Sequence, residues 1–328
     1  MSRKISHSII NGRTGAGTGG QGLKVEWADG ELHWLDVDEE SLIPPVWNGG
    51  RGVIGGGPTT PTDRIQYITI STTGNATDFG DLTAGRENIG ALSNGSRGVF
   101  GGGAYDVTMD YITISTTGDA SDFGDLNFGS PSYNVEGSCN GTIGIFQGGH
   151  QSATDVIDYI TVATTSNATA FGALSVDRYY PASLGDSTRA VFGGGKDGSF
   201  LNTIDYVAYD TTGTANNFGD LTAARNKLSG MSDTTRGVFT VGEGAQTSMD
   251  YITIATLGNA TDFGDRSFDT NNYGPASCSD GTYGVMCGGV DEGYVNSIDY
   301  ITIQTTGDAT DFGDLLETRG YAAACAGD

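Results

Sequence analysis

"IDYITIQTTGDATDFGDL" occupies residues 298–315, and a close copy, "MDYITISTTGDASDFGDL", occupies 109–126. An active site is asymmetric and needs its special residues once, so a chain that writes the same stretch repeatedly is describing architecture. The Tyr of this unit recurs at Tyr67, Tyr111, Tyr159, Tyr206, Tyr251 and Tyr300. A Phe follows each at a constant offset: Phe79, Phe123, Phe171, Phe218, Phe263 and Phe312. Successive copies are 44, 48, 47, 45 and 49 residues apart. A drifting period with a rigid internal offset means fixed strands joined by variable loops.

Each unit offers four short strand candidates. The first is a small-residue strand such as "GALSNG", ending in a turn dipeptide (Asn94-Gly95, Asn140-Gly141, Asp280-Gly281). The second is "RGVFGGG", halted by glycines. The third, "DYITIST", alternates and is β-branched, with Ile68 and Ile70 on one face and Tyr67 and Thr69 on the other. The fourth is "ATDFGDL", which carries the Phe. Four strands in each of six units predict an all-β, six-bladed propeller.

These residues resemble the kelch repeat. The di-glycine stands at Gly55-Gly56, Gly101-Gly102, Gly148-Gly149, Gly193-Gly194 and Gly288-Gly289, while the fifth copy departs around Thr240 and Val241. Phe79 and its equivalents stand where kelch repeats usually carry Trp. An Arg precedes the next small-residue strand at Arg86, Arg178, Arg225 and Arg319, with Ser130 and Thr270 in that place in copies two and five. Those two copies depart together, and "LTAGR"/"LTAAR" and "VDR"/"ETR" pair the remaining ones, so a duplicated three-blade half and a pseudo-two-fold axis are expected.

The final segment, Tyr321–Asp328, is a small-residue strand with no successor, and copy one begins at Arg51 without such a strand. Closure of the ring by the C-terminal strand follows. Pro45–Gly50 competes for that place, but Pro44 and Pro45 make it a poor sheet strand. The domains are thus 1–50, an N-terminal arm and hairpin, and 51–328, the propeller. Within the arm, 12–22 is Gly-rich. Residues 24–37 read as a hairpin turning at Asp29-Gly30, with Trp27 opposite Leu32, Val25 opposite Trp34 and Glu26 opposite His33. The third Trp is Trp47.

Composition narrows the function classes. Gly is 54 and Pro only 7 of 328 residues, without a three-residue period, which excludes collagen. The formal net charge is −24, which disfavours nucleic acid and anionic membranes. No apolar run is long enough to span a bilayer, and the basic start lacks the apolar region of a secretory signal, so none is expected. Cys139, Cys278, Cys287 and Cys325 form no C-x-x-C pair and read as reduced, buried thiols.

The chemistry-bearing motifs read as structure. "TDFGD" carboxylates such as Asp78 and Asp81 lack every companion of a kinase D-F-G and fit turn acceptors, with weak Ca²⁺ sites left open. "GGGKDGS" (193–199) lacks the Ser or Thr that a phosphate loop needs after its Lys. The histidines are His7, His33 and His150, too few in the propeller for a metal site or triad. Asn75, Asn94, Asn140, Asn167 and Asn259 match the N-glycosylation pattern but are read as turn residues.

The repeat text also resembles kelch-like propeller proteins of tailed bacteriophages, especially marine ones. That resemblance implies a non-enzymatic virion protein without cofactors, tail-associated or surface-exposed and assembled in the host cytoplasm. Its propeller would bind a host surface glycan or protein. Its arm would anchor through Trp27 and Trp34 to other virion proteins or to a second copy. The alternatives are a capsid decoration or stabilising protein without a ligand, and a carbohydrate-active propeller enzyme. Loops after the di-glycine vary most, and Tyr105, Phe200 and Tyr294 in them are the ligand-contact candidates.

Overall fold

The computed structural model describes residues 22–28, 31–37, 49–58, 62–103, 106–128, 133–149, 154–244, 247–266 and 273–328. Tyr105, Trp47, His7, His150, Ser130, Thr270 and the Asp29-Gly30 turn lie outside them. The chain divides into two compact units, 1–44 and 45–328. In the first, Gly22–Ala28 pairs with Glu31–Val37 in the expected register, which sets Val25 opposite Trp34 and Trp27 opposite Leu32.

The second unit is a six-bladed β-propeller of four-stranded blades. Blade 2 shows the plan: Gly90–Ser93 innermost, then Arg97–Gly101, Thr108–Thr113 and Ser121–Asp125 outermost, all antiparallel. Blade 1 takes its innermost strand from the other end of the chain. Ala323–Gly327 pairs with Arg51–Gly55, Cys325 opposite Val53, and closes the ring as expected. Blades 3 and 6 share a ten-residue outermost strand, Thr169–Arg178 and Thr310–Arg319, an imprint of the duplicated half.

The core lies between blades. Each repeat Phe is buried, 2–4% exposed, and packs against the third strand and following turn of the next blade. Phe79 meets Ile112 and Ile114, Phe171 meets Val207 and Tyr209, and Phe312 meets Ile68 and Ile70. Each repeat Tyr lies edge-on to its Phe with centroids 6.0–6.2 Å apart. The glycine of "FGD" is fixed by two demands. Gly80 has φ +150°, and a Cβ there would stand 2.3 Å from the Gly118 carbonyl oxygen of the next blade. That closeness lets Gly118 N–H donate to the Phe79 carbonyl at 2.8 Å.

The repeated polar residues are joints of the same frame. Asn94 and Asn140 Oδ1 accept backbone N–H groups across their own turns. Asn75, Asn167 and Asn259 accept from the outermost strand of the preceding blade, at Asp314, Asp125 and Asp220. All four cysteines are buried and unbridged.

A β-bulge precedes the Asp of each "DY" and turns it toward the neighbouring blade. There Arg86, Arg178 and Arg225 bury their guanidinium groups against Asp110, Asp205 and Asp250. In blade 1 Gln66 takes the Asp position, and Arg319 pairs with Glu317 instead. Copy five departs from the sequence expectation. Arg266, in the place of a leucine such as Leu126, reaches Asp299 at 2.6 Å. The long guanidinium arm covers the distance from a different backbone position.

Candidate binding site at the channel mouth

The second strand of each blade ends, and the fourth hands over to the next blade, on one face of the ring. On this face the connections between blades hydrogen-bond the variable loops: Tyr179 with Lys196, Asn226 with Glu243, and Tyr273 with Val290. At the inner rim the connections also bond one another around the axis. Asn88 N–H donates to the Tyr321 carbonyl, Val135 to Asn88, Lys227 to Tyr180, Gly274 to Lys227, and Tyr321 to Gly274.

This belt forces a left-handed backbone on its members. Gly274 has φ +66°, the natural choice. Asn88, Tyr180, Lys227 and Tyr321 adopt φ of 53–59° without being glycine. Non-glycine residues in this region are strained, the more so when bulky.

The side chains set by that strain converge. Tyr180 and Tyr321 come from opposite blades, as equivalents under the pseudo-two-fold, and their ring centroids are 6.3 Å apart. Tyr273 and Tyr294 extend the cluster from Tyr321, at 6.3 and 6.5 Å, and Tyr179 extends it from Tyr180 at 5.5 Å. The Lys227 ammonium lies 4.4 Å from the Tyr273 centroid and within 6 Å of the Tyr180 and Tyr321 centroids. It also pairs with Glu243 at 3.0 Å.

Below the rim the innermost strands close the axis with small residues. Ser93, Ser183, Ser232 and Ser279 each donate to a carbonyl of the adjoining innermost strand. The cavity they leave is about 90 Å³, room for several water molecules. Glu136 lines the upper end of this space, under Tyr180 and Tyr321. It keeps an edge toward the channel, yet the surrounding wall of protein desolvates it and pushes its carboxyl well above the usual range, against hydrogen bonds from Ser183. Burial likewise raises Glu87, and it raises the Tyr294 hydroxyl, to which Glu87 and Tyr273 add by charge. For Tyr321 burial acts first and then the neighbouring tyrosines, all upward.

Of the residues singled out from sequence, Tyr294 belongs to this cluster and is 40% exposed. Phe200 lies on the same face but apart, beneath Lys196 at 5.2 Å and beside Gly244. Tyr105 is outside the described residues. Trp27 and Trp34 stand on one face of the hairpin by register. Among the described residues no group of three or more His, Cys, Asp or Glu is placed to hold a metal ion. Tyr180, Tyr321, Lys227 and Glu136 were not foreseen. The available signal was a Tyr, Lys or Asn two residues after each Arg, while the connection after the fifth copy, which lacks that Arg, carries Gly274. Compared with protein families and curated sequences, the chain matches no family model and no curated protein.

Proposed function

We propose that this chain is a non-enzymatic recognition protein, a kelch-like propeller carried on a tailed-bacteriophage particle, whose loop-bearing face contacts a host surface ligand. One observation supports the reading above the others. Residues written six times serve blade packing and turns, whereas the residues that break the repeat gather on one face around Tyr180, Tyr321 and Lys227. Recognition lives in variable loops on a rigid scaffold. The −24 charge suits a protein that stays dispersed and avoids nucleic acid. In this reading residues 1–50 are the anchor, with Trp27 and Trp34 covered by another virion chain or a second copy.

The test uses particles lacking this protein. Full-length chain should incorporate and restore adsorption to host cells, and residues 51–328 alone should fold yet fail to incorporate. Equal adsorption by depleted and complete particles would overturn the recognition role, and equal incorporation of the truncated chain would overturn the anchor.

A further inference from the structure

We propose that the channel mouth binds a neutral saccharide, stacked on Tyr321 and Tyr294 and hydrogen-bonded by Asn88 and Glu87. The proposal rests on the recognition reading above and names its ligand class and site.

Strain is the first argument. The belt offers left-handed positions that glycine would fill without cost, and Gly274 shows that the fold accepts glycine there. Tyrosine at two diametrically opposed positions is therefore unfavourable for the backbone alone. What it achieves is a pair of rings over the axis, joined to exposed Tyr294. Tyrosine presents a rigid ring with a polar tip at low entropic cost, which suits contact with a face that is apolar at C–H and polar at its edges.

Unused hydrogen-bonding capacity is the second. Asn88 Oδ1 is a buried acceptor without a partner, and Asn88 lines the same opening as Tyr321. A buried acceptor left unmade is costly, and turning the amide of partly exposed Asn88 toward a ligand's donor relieves that cost. Glu87, the chain neighbour of Asn88 and only partly buried, adds a second acceptor beside it. Hydroxyl groups flanking a C–H face match that combination.

Other ligand chemistries fit less well. Among the described residues the mouth's cation, Lys227, is already paired with Glu243 and covered by three rings, so an anion gains little there. A cationic ligand at these rings would meet the like charge of the Lys227 ammonium, which already lies against them. A hydrocarbon would bury Asn88 and the carboxyls without partners. The space directly beneath, among Gly90, Glu136 and Ala324, is only about 40 Å³, so the ligand lies across the mouth.

The experiment titrates the full-length chain with neutral hexasaccharides (α- and β-linked glucans, a mannan) and with a hexauronate, following tyrosine fluorescence and heat. At least one neutral member should bind and the hexauronate should not. Tyr321→Gly keeps the left-handed backbone, so its thermal unfolding should remain cooperative, and its affinity should fall about ten-fold or more. Phe200→Ala, on the same face but away from the mouth, should bind as wild type. Binding of none of the neutral sugars, preference for the hexauronate, or unchanged binding by Tyr321→Gly overturns the site. If host-cell adsorption is intact while Tyr321→Gly binds and adsorbs as wild type, the recognition reading survives and the mouth assignment falls. If the wild-type chain fails to adsorb at all, the recognition reading falls too.

Discussion

Blades 3 and 6 occupy equivalent places in the two halves of the ring, yet they treat the same buried carboxyl differently. In blade 6, Arg266 meets Asp299 at 2.6 Å and also donates to the Gly288 carbonyl. In blade 3, Leu126 stands where Arg266 would, and the Phe128 ring lies against Gly148, the equivalent of Gly288. Asp158 accepts from Asn127 N–H at 2.7 Å, while its Oδ1 has no partner among the described residues. Asn127 also lacks the hydroxyl with which Thr83, Ser175 and Thr222 serve the same carboxyl elsewhere. Burial consequently pushes Asp158 up to about 6, against the hydrogen bonds from Asn127 and Phe128. The lesson is that the apolar joint carries the blade and the ion pair adjusts it. Phe123 and Phe263, the apolar joints of the same two interfaces, are both 2% exposed, and both blades hold their four-stranded form with or without the arginine.

The largest expected effect tests that equality. Phe123→Ala and Phe263→Ala should each cost about 3–5 kcal/mol, because each empties a ring-sized space between two blades. Chemical denaturation should give the two variants the same loss within error. A much smaller loss for Phe123 would mean that the interface before blade 3 is loosened through its unpaired carboxyl.

Arg266→Leu is next, since it writes the blade 3 residue into blade 6. Asp299 would keep its buried position without its cation, and breaking one side of a buried pair costs about 3 kcal/mol or more. Combining it with Asp299→Asn should recover much of that loss. If the single variant unfolds at the wild-type midpoint, the Arg266–Asp299 contact does not hold the charge.

The swap also marks what could be read from sequence. Blade number, strand order, the buried Phe series and closure by Ala323–Gly327 follow from a period and an offset, signals that sit within one unit. The Arg266 contact does not, because the expectation placed Arg at a fixed offset whereas the guanidinium reaches Asp299 from a leucine position. The channel mouth was less legible still. Tyr180 and Tyr321 belong to different halves of the chain and meet only after the ring has closed, and their left-handed backbone is set by hydrogen bonds between blades. Only Tyr294 was reached, through loop variability.

A smaller effect belongs to Asp158 itself. Its folded pKa of about 6 lies above the ordinary value of 3.8, so the fold disfavours the ionised form. That penalty is fully present above pH 6, shrinks as the pH falls between the two values, and is gone below the lower one. Asp158→Asn should therefore raise stability near pH 7 by about 2 kcal/mol and flatten the slope between pH 6 and 4. Leu126→Arg, which gives blade 3 the blade 6 residue, should also flatten it. A wild-type stability curve in that window that Asp158→Asn leaves unaltered would show the carboxyl to be adequately solvated.

The smallest expected effect is an absence of reaction that turns into a difference on opening. Cys139 and Cys278 occupy equivalent innermost strands of blades 3 and 6, and burial raises both thiols, Cys139 to about 12. Thiolate is the nucleophile, so neither should react with an aromatic disulfide reagent at pH 8 in the native ring. At low denaturant, below the global transition, reaction then reports local opening. A strand near an unpaired buried carboxyl should open at lower free energy than one near a satisfied pair, so Cys139 should be labelled before Cys278. Under Asp158→Asn the order should narrow or vanish, and under Arg266→Leu Cys278 should catch up. Mass spectrometry of quenched samples separates the two peptides. Simultaneous labelling in the wild type would show that the ring opens as one unit and that the missing arginine of blade 3 has no local consequence.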